Sequence, residues 1–159
     1  MHTAHIKTPL GVAKVVSDKV GIVEISVLDE EVKFINSENI PQVLKDCITQ
    51  LEEYFAGERT EFQLKLAPKG TDFQQRVWSE LNKIPFGKTY SYLALSKKLG
   101  DVKAIRAVAS ANGKNPLWIV TPCHRVIGSD GSLTGYASGL WRKKWLLEHE
   151  SPAKQQSLF

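Results

Sequence analysis

A two-part α+β fold is what this sequence predicts: a small mixed or antiparallel sheet with a helix over residues 1–68, then a mostly helical domain over residues 69–150 that contains a helix-turn-helix. Three observations carry that expectation. Short β-branched runs fill the first third, apolar residues at three- and four-residue spacing fill the second half, and Ala67-Pro68-Lys69-Gly70 stands between them as a linker. Residues 151–159 read as a frayed tail.

The first strands are expected over residues 12–16, 21–28 and 32–35, broken at Ser17-Asp18 and Asp29-Glu30, so an antiparallel meander is the simplest arrangement. After Pro41, the residues Leu44, Cys47, Ile48, Leu51, Tyr54 and Phe55 recur at helical steps, with Gly57 as the stop. That face must pack on the sheet, which makes Cys47 a core thiol behaving as a small hydrophobe. Residues 60–66 alternate Phe62, Leu64 and Leu66 as one more strand. Thr71 with Gln74 makes a capping box, and Phe73, Val77, Leu81 and Ile84 mark a helix face that Pro85 terminates. Residues 91–99, the turn Gly100-Asp101 and residues 103–112 then form helix, turn, helix, the order used by one class of DNA readers. Residues 117–120 are a brief buried-strand pattern, residues 128–139 a Gly/Ser loop, and residues 140–150 a last helix.

Composition narrows the function classes. A chain of 159 residues with 42% apolar and 24% charged residues has the balance of a soluble globule, which excludes disordered and fibrous classes. No apolar run approaches the roughly 18–20 residues needed to span a bilayer, and no leader pattern follows Met1, so a cytoplasmic protein away from membranes is expected. Cys47 and Cys123 lie 76 positions apart without metal-ligand spacing around either, so neither a structural metal site nor a disulfide framework is expected. Residues 1–68 carry 7 Lys/Arg against 11 Asp/Glu, a net −4, whereas residues 69–159 carry 14 against 6, a net +8. A basic half beside an acidic one points to a polyanionic partner for the second half.

The run Pro122-Cys123-His124-Arg125 holds the clearest chemistry. Pro122 restricts the backbone ahead of Cys123. With a suitable turn His124 takes the thiol proton, directly or through a water, and Arg125 adds positive charge that favours the thiolate. A carboxylate is wanted to orient the imidazole, and Glu150 at the end of the last helix is the candidate. The residues alone leave open a buried structural Cys beside a surface His.

The wider segment resembles a known family. Asn115-Pro116, the run from Pro122 through Val126 to Ile127, Gly135-Tyr136, and Trp145-Leu146-Leu147 followed by His149-Glu150 are similar to the active-site segment of O6-alkylguanine-DNA alkyltransferases. The similarity reaches back through Phe73-Gln74, Val77-Trp78, Ile84-Pro85, Gly87, Ser91-Tyr92 and Arg106-Ala107-Val108, and so covers about residues 70–150. Thr8-Pro9-Leu10-Gly11 is similar to the start of the family's N-terminal domain.

The resemblance implies a DNA repair protein that turns out an alkylated guanine, and O4-alkylthymine as a further substrate class, and moves the alkyl group irreversibly onto Cys123. It implies a monomer that binds double-stranded DNA through the minor groove. The second helix of the helix-turn-helix would face the groove with small residues, among them Ala107 and Ser110. Arg106 would enter the stack as a finger when the nucleotide is extruded. Tyr92 would hold the extruded nucleotide and donate a proton toward guanine N3, and Asn115 would tie the Cys123 loop to the helix-turn-helix. Arg125 would add to the DNA-facing charge. Tyr136 would pack on the base and the N–H of Ala137 would point at O6. The carbonyls of Cys123 and Val126 would read the exocyclic amine. No cofactor is expected, because the alkyl group is already activated by the ring it leaves.

Two residues depart from the family's pattern. Trp118 stands where a small or ring-constrained residue is usual, and Ser138 where Gly is common, so both are expected to narrow the space around the alkyl group. Two rival readings remain: a non-catalytic binder of damaged DNA, which would lack the nucleophile that Cys123 supplies, and a Cys-His hydrolase, which would have no use for the helix-turn-helix or Arg106.

Overall fold

The computed structural model describes residues 1–29, 39–133 and 136–151, and the chain packs as two compact units: Met1–Lys69 with Pro116–Trp118, and Gly70–Asn115 with Ile119–Phe159. The break at 69/70 falls in the expected linker. The return of residues 116–118 to the first unit was not expected.

In the first unit, β1 (His2–Thr8), β2 (Gly11–Ser17) and β3 (Ile22–Leu28) form an antiparallel sheet in the order β1-β2-β3. The β1–β2 turn is held by the Thr8 hydroxyl, which donates to the Gly11 carbonyl at 2.7 Å and accepts from the Leu10 N–H at 3.1 Å. β1 has no counterpart in the expected strand set, because Ala4 is its only buried residue and its other side chains are polar or half-exposed. Helix α1 (Gln42–Phe55) packs Leu44, Cys47, Leu51 and Tyr54 into the core with Ala13, Val15, Ile22 and Ile25. Cys47 is fully buried, and desolvation pushes its thiol up to about 12. The strand expected at 32–35 lies outside the described residues.

Residues 60–66 do not form a strand. Their alternation is real, but the backbone is satisfied differently. Gln50 on α1 donates Nε2 to the Gln63 carbonyl at 3.1 Å and accepts the Gln63 N–H at 2.9 Å, and only Leu66 reaches the sheet, through a bridge to Ile22. Residues 117–120 likewise make one bridge, Ile25 with Leu117, instead of a strand. Ile119 then turns with a left-handed φ of 70°, which costs a β-branched residue about 1–3 kcal/mol and is held by its burial.

The second unit opens with α2 (Asp72–Leu81), where the capping box is complete: the Thr71 hydroxyl accepts from the Gln74 N–H at 3.1 Å and the Gln74 side chain accepts from the Thr71 N–H at 2.9 Å. The strand β4 (Tyr90–Ser91) leads into α3 (Tyr92–Lys98), capped by the Ser91 hydroxyl. Gly100, at φ 88°, turns the chain into a 3₁₀ segment, Val102–Ala104, and α4 (Ile105–Gly113). A 3₁₀ turn at Cys123–Arg125 runs into β5 (Val126–Ile127), which pairs in parallel with β4, and α5 (Leu140–Glu150) closes the chain. Val77, Trp78, Leu81, Ile84, Leu95, Val108, Ala111 and Val126 form one core with Cys123. The Trp78 indole N–H donates to the Ala111 carbonyl at 2.9 Å, tying α2 to α4.

Glycine replacements separate crowding from chain flexibility. A Cβ on Gly21 would lie 2.4 Å from the Lys65 backbone oxygen, whereas one on Gly113 meets nothing within 4 Å. Gly21→Ala is expected to cost about 1–3 kcal/mol, read by urea unfolding. Gly113→Ala should be neutral or stabilising by up to about 1 kcal/mol, since it only removes freedom from the unfolded chain.

Candidate active site

Cys123 is placed by two successive turns. Pro122, at φ −83° and ψ 65°, is the centre of an inverse γ-turn in which the Cys123 N–H donates to the Thr121 carbonyl at 2.8 Å. The 3₁₀ turn follows, with the Arg125 N–H donating to the Pro122 carbonyl at 3.0 Å and the Val126 N–H to the Cys123 carbonyl. Asn115, just past α4, donates Nδ2 to the Thr121 carbonyl at 2.7 Å, so the end of the second helix of the helix-turn-helix holds the segment two residues before the nucleophile.

Behind the turn lies a buried charge cluster. The His124 ring is fully buried and its Nε2 lies 2.8 Å from Glu150 Oε2. Arg125 donates Nε to Glu150 Oε1 at 2.7 Å and Nη2 to Oε2 at 3.0 Å, and its Nη1 donates to the Ile84 carbonyl at 2.6 Å. Burial raises the Glu150 carboxyl, but the hydrogen bonds and charges of His124 and Arg125 outweigh it and hold the group well below the usual carboxylate range. His124 is pushed the other way: burial lowers it, Glu150 opposes, and the cations Arg125 and Lys143 lower it further. The imidazole is therefore neutral at pH 7, and a neutral ring beside an ionised carboxylate carries its proton on Nε2. Nδ1 is left as the basic nitrogen, and it has no protein partner among the described residues.

The Cys123 thiol is buried at 8% exposure. Desolvation raises it, while the neighbouring Asn115 amide, the charge of Lys143 and the Tyr136 hydroxyl pull it back. The resting group is a thiol, so a base is needed at the moment of attack.

Here the structure corrects two expectations. Arg125 is 6% exposed and its guanidinium is committed to Glu150 and Ile84, so it supplies neither charge to DNA nor the cation beside the thiol. That cation is Lys143, fully buried on α5, with Nζ 5.9 Å from the ring centres of both Tyr92 and Tyr136. Sequence reasoning missed Lys143 because a Lys in the basic run Arg142-Lys143-Lys144 reads as a solvated face; its three-residue offset from the buried Leu146 was the available signal. Trp118, expected at the alkyl group, belongs to the first unit, where it is buried and its ring centre lies 6.1 Å from that of Phe55.

The remaining expected residues are placed as follows. Tyr92 and Tyr136 pack against the core that holds Cys123, and Val126 is buried beside it. Ala137 is exposed; Ser138 is half-buried and its carbonyl accepts from Arg142 Nη1 at 2.8 Å. On α4, Arg106, Ala107, Ala109 and Ser110 are exposed while Val108, Ala111 and Asn112 are buried, so the small residues and the Arg share an outward face. Gly135 lies outside the described residues. Among the described residues no group of three His, Cys, Asp or Glu is placed to hold a metal, and no helix is long and apolar enough to cross a membrane.

Comparison with known proteins places this site in context. Residues 72–152 match the model of the 6-O-methylguanine DNA methyltransferase DNA binding domain, and residues 1–68 match its ribonuclease-like domain. A methylated-DNA–protein-cysteine methyltransferase of Methanosarcina acetivorans is 42% identical over 156 residues, 94% of this chain and 98% of the relative. One from Methanosarcina barkeri is 54% identical over 106 residues, 67% of each chain. Among solved structures, Mycobacterium tuberculosis OGT in complex with DNA superposes with a TM-score of 0.84 at 41% identity, covering 97% of both chains.

The burial shifts fix the acid and alkaline limits of stability. His124 lies below its ordinary 6.5, so unfolding takes up a proton and stability falls as pH drops below about 6.5; the depressed Glu150 adds stability that is present above 4.5 and is lost as pH falls further. Cys47 and Cys123 lie above 9.0, so unfolding releases protons and stability falls as pH rises past about 9. Calorimetry across pH should show the highest Tm between these limits, and Glu150→Gln should remove the carboxylate's share of the acid limb, below about 4.5, while the His124 share below 6.5 stays. An acid limb unchanged in Glu150→Gln would contradict the assignment.

Proposed function

The chain belongs to the 6-O-methylguanine DNA methyltransferase family, and on that premise we propose that it repairs DNA by transferring an alkyl group from O6 of guanine irreversibly to Cys123. The observation that carries this reading is the buried Glu150–His124 pair behind a buried thiol, with Nδ1 as the ring's basic nitrogen.

The transfer is an in-line displacement at the alkyl carbon. The thiol proton passes to His124, directly or through a water, as the bond from Sγ to carbon forms and the bond from carbon to O6 breaks. The electron pair left on O6 spreads into the ring, and the Tyr92 hydroxyl donates toward N3, so that guanine leaves neutral. The Ala137 N–H points at O6, and Tyr136 packs on the base. The thioether has no leaving pathway, so each molecule acts once. No cofactor enters these steps.

DNA reaches the site through its minor groove on the outward face of α4, where Ala107, Ala109 and Ser110 allow close approach and Arg106 fills the space the nucleotide vacates. The exposed Lys97, Lys98, Lys103 and Lys114 lie on the same helix-turn-helix and bind phosphates, so affinity falls with salt. The protein acts as a monomer in the cytoplasm.

The reading is tested with a duplex containing labelled O6-methylguanine. Cys123→Ala should take no label and still bind the duplex, whereas Cys47→Ala should transfer at the wild-type rate; label on Cys123→Ala would end the proposal. Arg106→Ala should lose on the order of a hundredfold with duplex and much less with the free modified base, because extrusion costs a few kcal/mol only when the base is stacked. Equal losses on the two substrates would remove Arg106 from the extrusion step.

A further inference from the structure

Helix α5 begins with an exposed aromatic beside a buried cation, the reverse of where the two types usually sit. Trp141 is 57% exposed, whereas Arg142 is 4% exposed. Both side chains turn back onto the loop that leads into the helix. The Arg142 guanidinium carbon lies 4.5 Å from the centre of the Trp141 ring, and its Nη1 donates to the Ser138 carbonyl at 2.8 Å. The indole lies against Gly139, where a Cβ would stand 3.3 Å from Trp141 Cδ1 and Nε1. Gly139 also has a φ of 97°, so the backbone turn and the close indole both favour glycine.

The loop held in this way is a tight turn. The Gly139 N–H donates to the Tyr136 carbonyl at 2.9 Å, and the Gly139 carbonyl accepts the N–H groups of Arg142 and Lys143, each at 3.2 Å. Two successive carbonyls, those of Ser138 and Gly139, are thus tied to the first turn of α5, one by a side chain and one by the helix backbone. Tyr136, at the other end of the turn, packs against the core that holds Cys123, and Lys143 Nζ lies 5.9 Å from its ring centre. We propose that Trp141 and Arg142 form a clamp that holds the Tyr136–Gly139 loop in the geometry that transfer to Cys123 requires. Both are positioning residues, acting through the loop and not on the base. This rests on the alkyltransferase reading, in which Tyr136 and Ala137 serve the reaction. Such a clamp acts on the rate of the bound complex, because a misplaced loop slows the reaction without weakening the encounter with DNA.

The test is single-turnover methyl transfer from a duplex containing O6-methylguanine, with the rate followed across protein concentration. Trp141→Ala should lower the maximal rate about tenfold, the scale of one desolvated cation–π contact, and leave the half-saturating concentration within about twofold. Trp141→Phe keeps a ring under the guanidinium and should stay within about threefold of wild type. Arg142→Met removes both the stack and the bond to Ser138, and should lose at least as much as Trp141→Ala. The final labelled fraction reports how much protein is folded, so a slower rate with that fraction unchanged is not a loss of fold. A wild-type maximal rate in Trp141→Ala overturns the clamp. So does a loss confined to the half-saturating concentration, which would make Trp141 a DNA contact. Either result leaves the alkyltransferase reading standing, whereas absence of transfer to wild type overturns both.

Discussion

The Glu150 carboxylate is the constraint on which the rest of the site depends. It is nearly fully buried, and a buried anion is tolerable only when its oxygens are paired. Three nitrogens do this: one of His124 and two of Arg125. The same bonds fix α5 to the Cys123 turn, hold the Arg125 guanidinium under the carbonyl that ends α2's extension at Ile84, and choose the His124 tautomer. Removing the carboxylate would therefore leave three buried nitrogens unpaired and take the orientation from the base in one step.

Charge around the nucleophile is divided between two cations with different tasks. Arg125 is a planar donor, suited to a bidentate grip on a carboxylate, and it spends itself there. Lys143 is a point charge that lies near the thiol and two tyrosine rings. Desolvation lowers its own affinity for a proton, and a developing thiolate raises it again. Its stabilisation thus grows as the reaction proceeds, which is the property that favours a transition state over a ground state.

How far the sequence was legible depended on whether local pattern and local structure coincide. The Thr71 capping box, α1 with its inward Cys47 and α5 at residues 140–150 were readable because caps and helical spacing are local. β1 was not, since a strand with one buried residue has no alternation to detect. Residues 60–66 misled because period-two spacing records which side chains are inward and not which backbone groups pair; Gln50 takes the pairing. At the site, Cys123, His124 and Glu150 were legible from residue type and the family resemblance. Lys143 holds the place beside the thiol that the sequence suggested for Arg125, since no sequence pattern states which cation a buried carboxylate will capture.

The central claim is that Glu150 holds His124 as a neutral ring with its proton on Nε2, leaving Nδ1 to take the Cys123 proton. Nitrogen-15 NMR of the imidazole at pH 7 reads this directly. The account predicts a single neutral Nε2–H tautomer in wild type that persists well below pH 6.5. An imidazolium at pH 7, or a ring protonated on Nδ1, would contradict it.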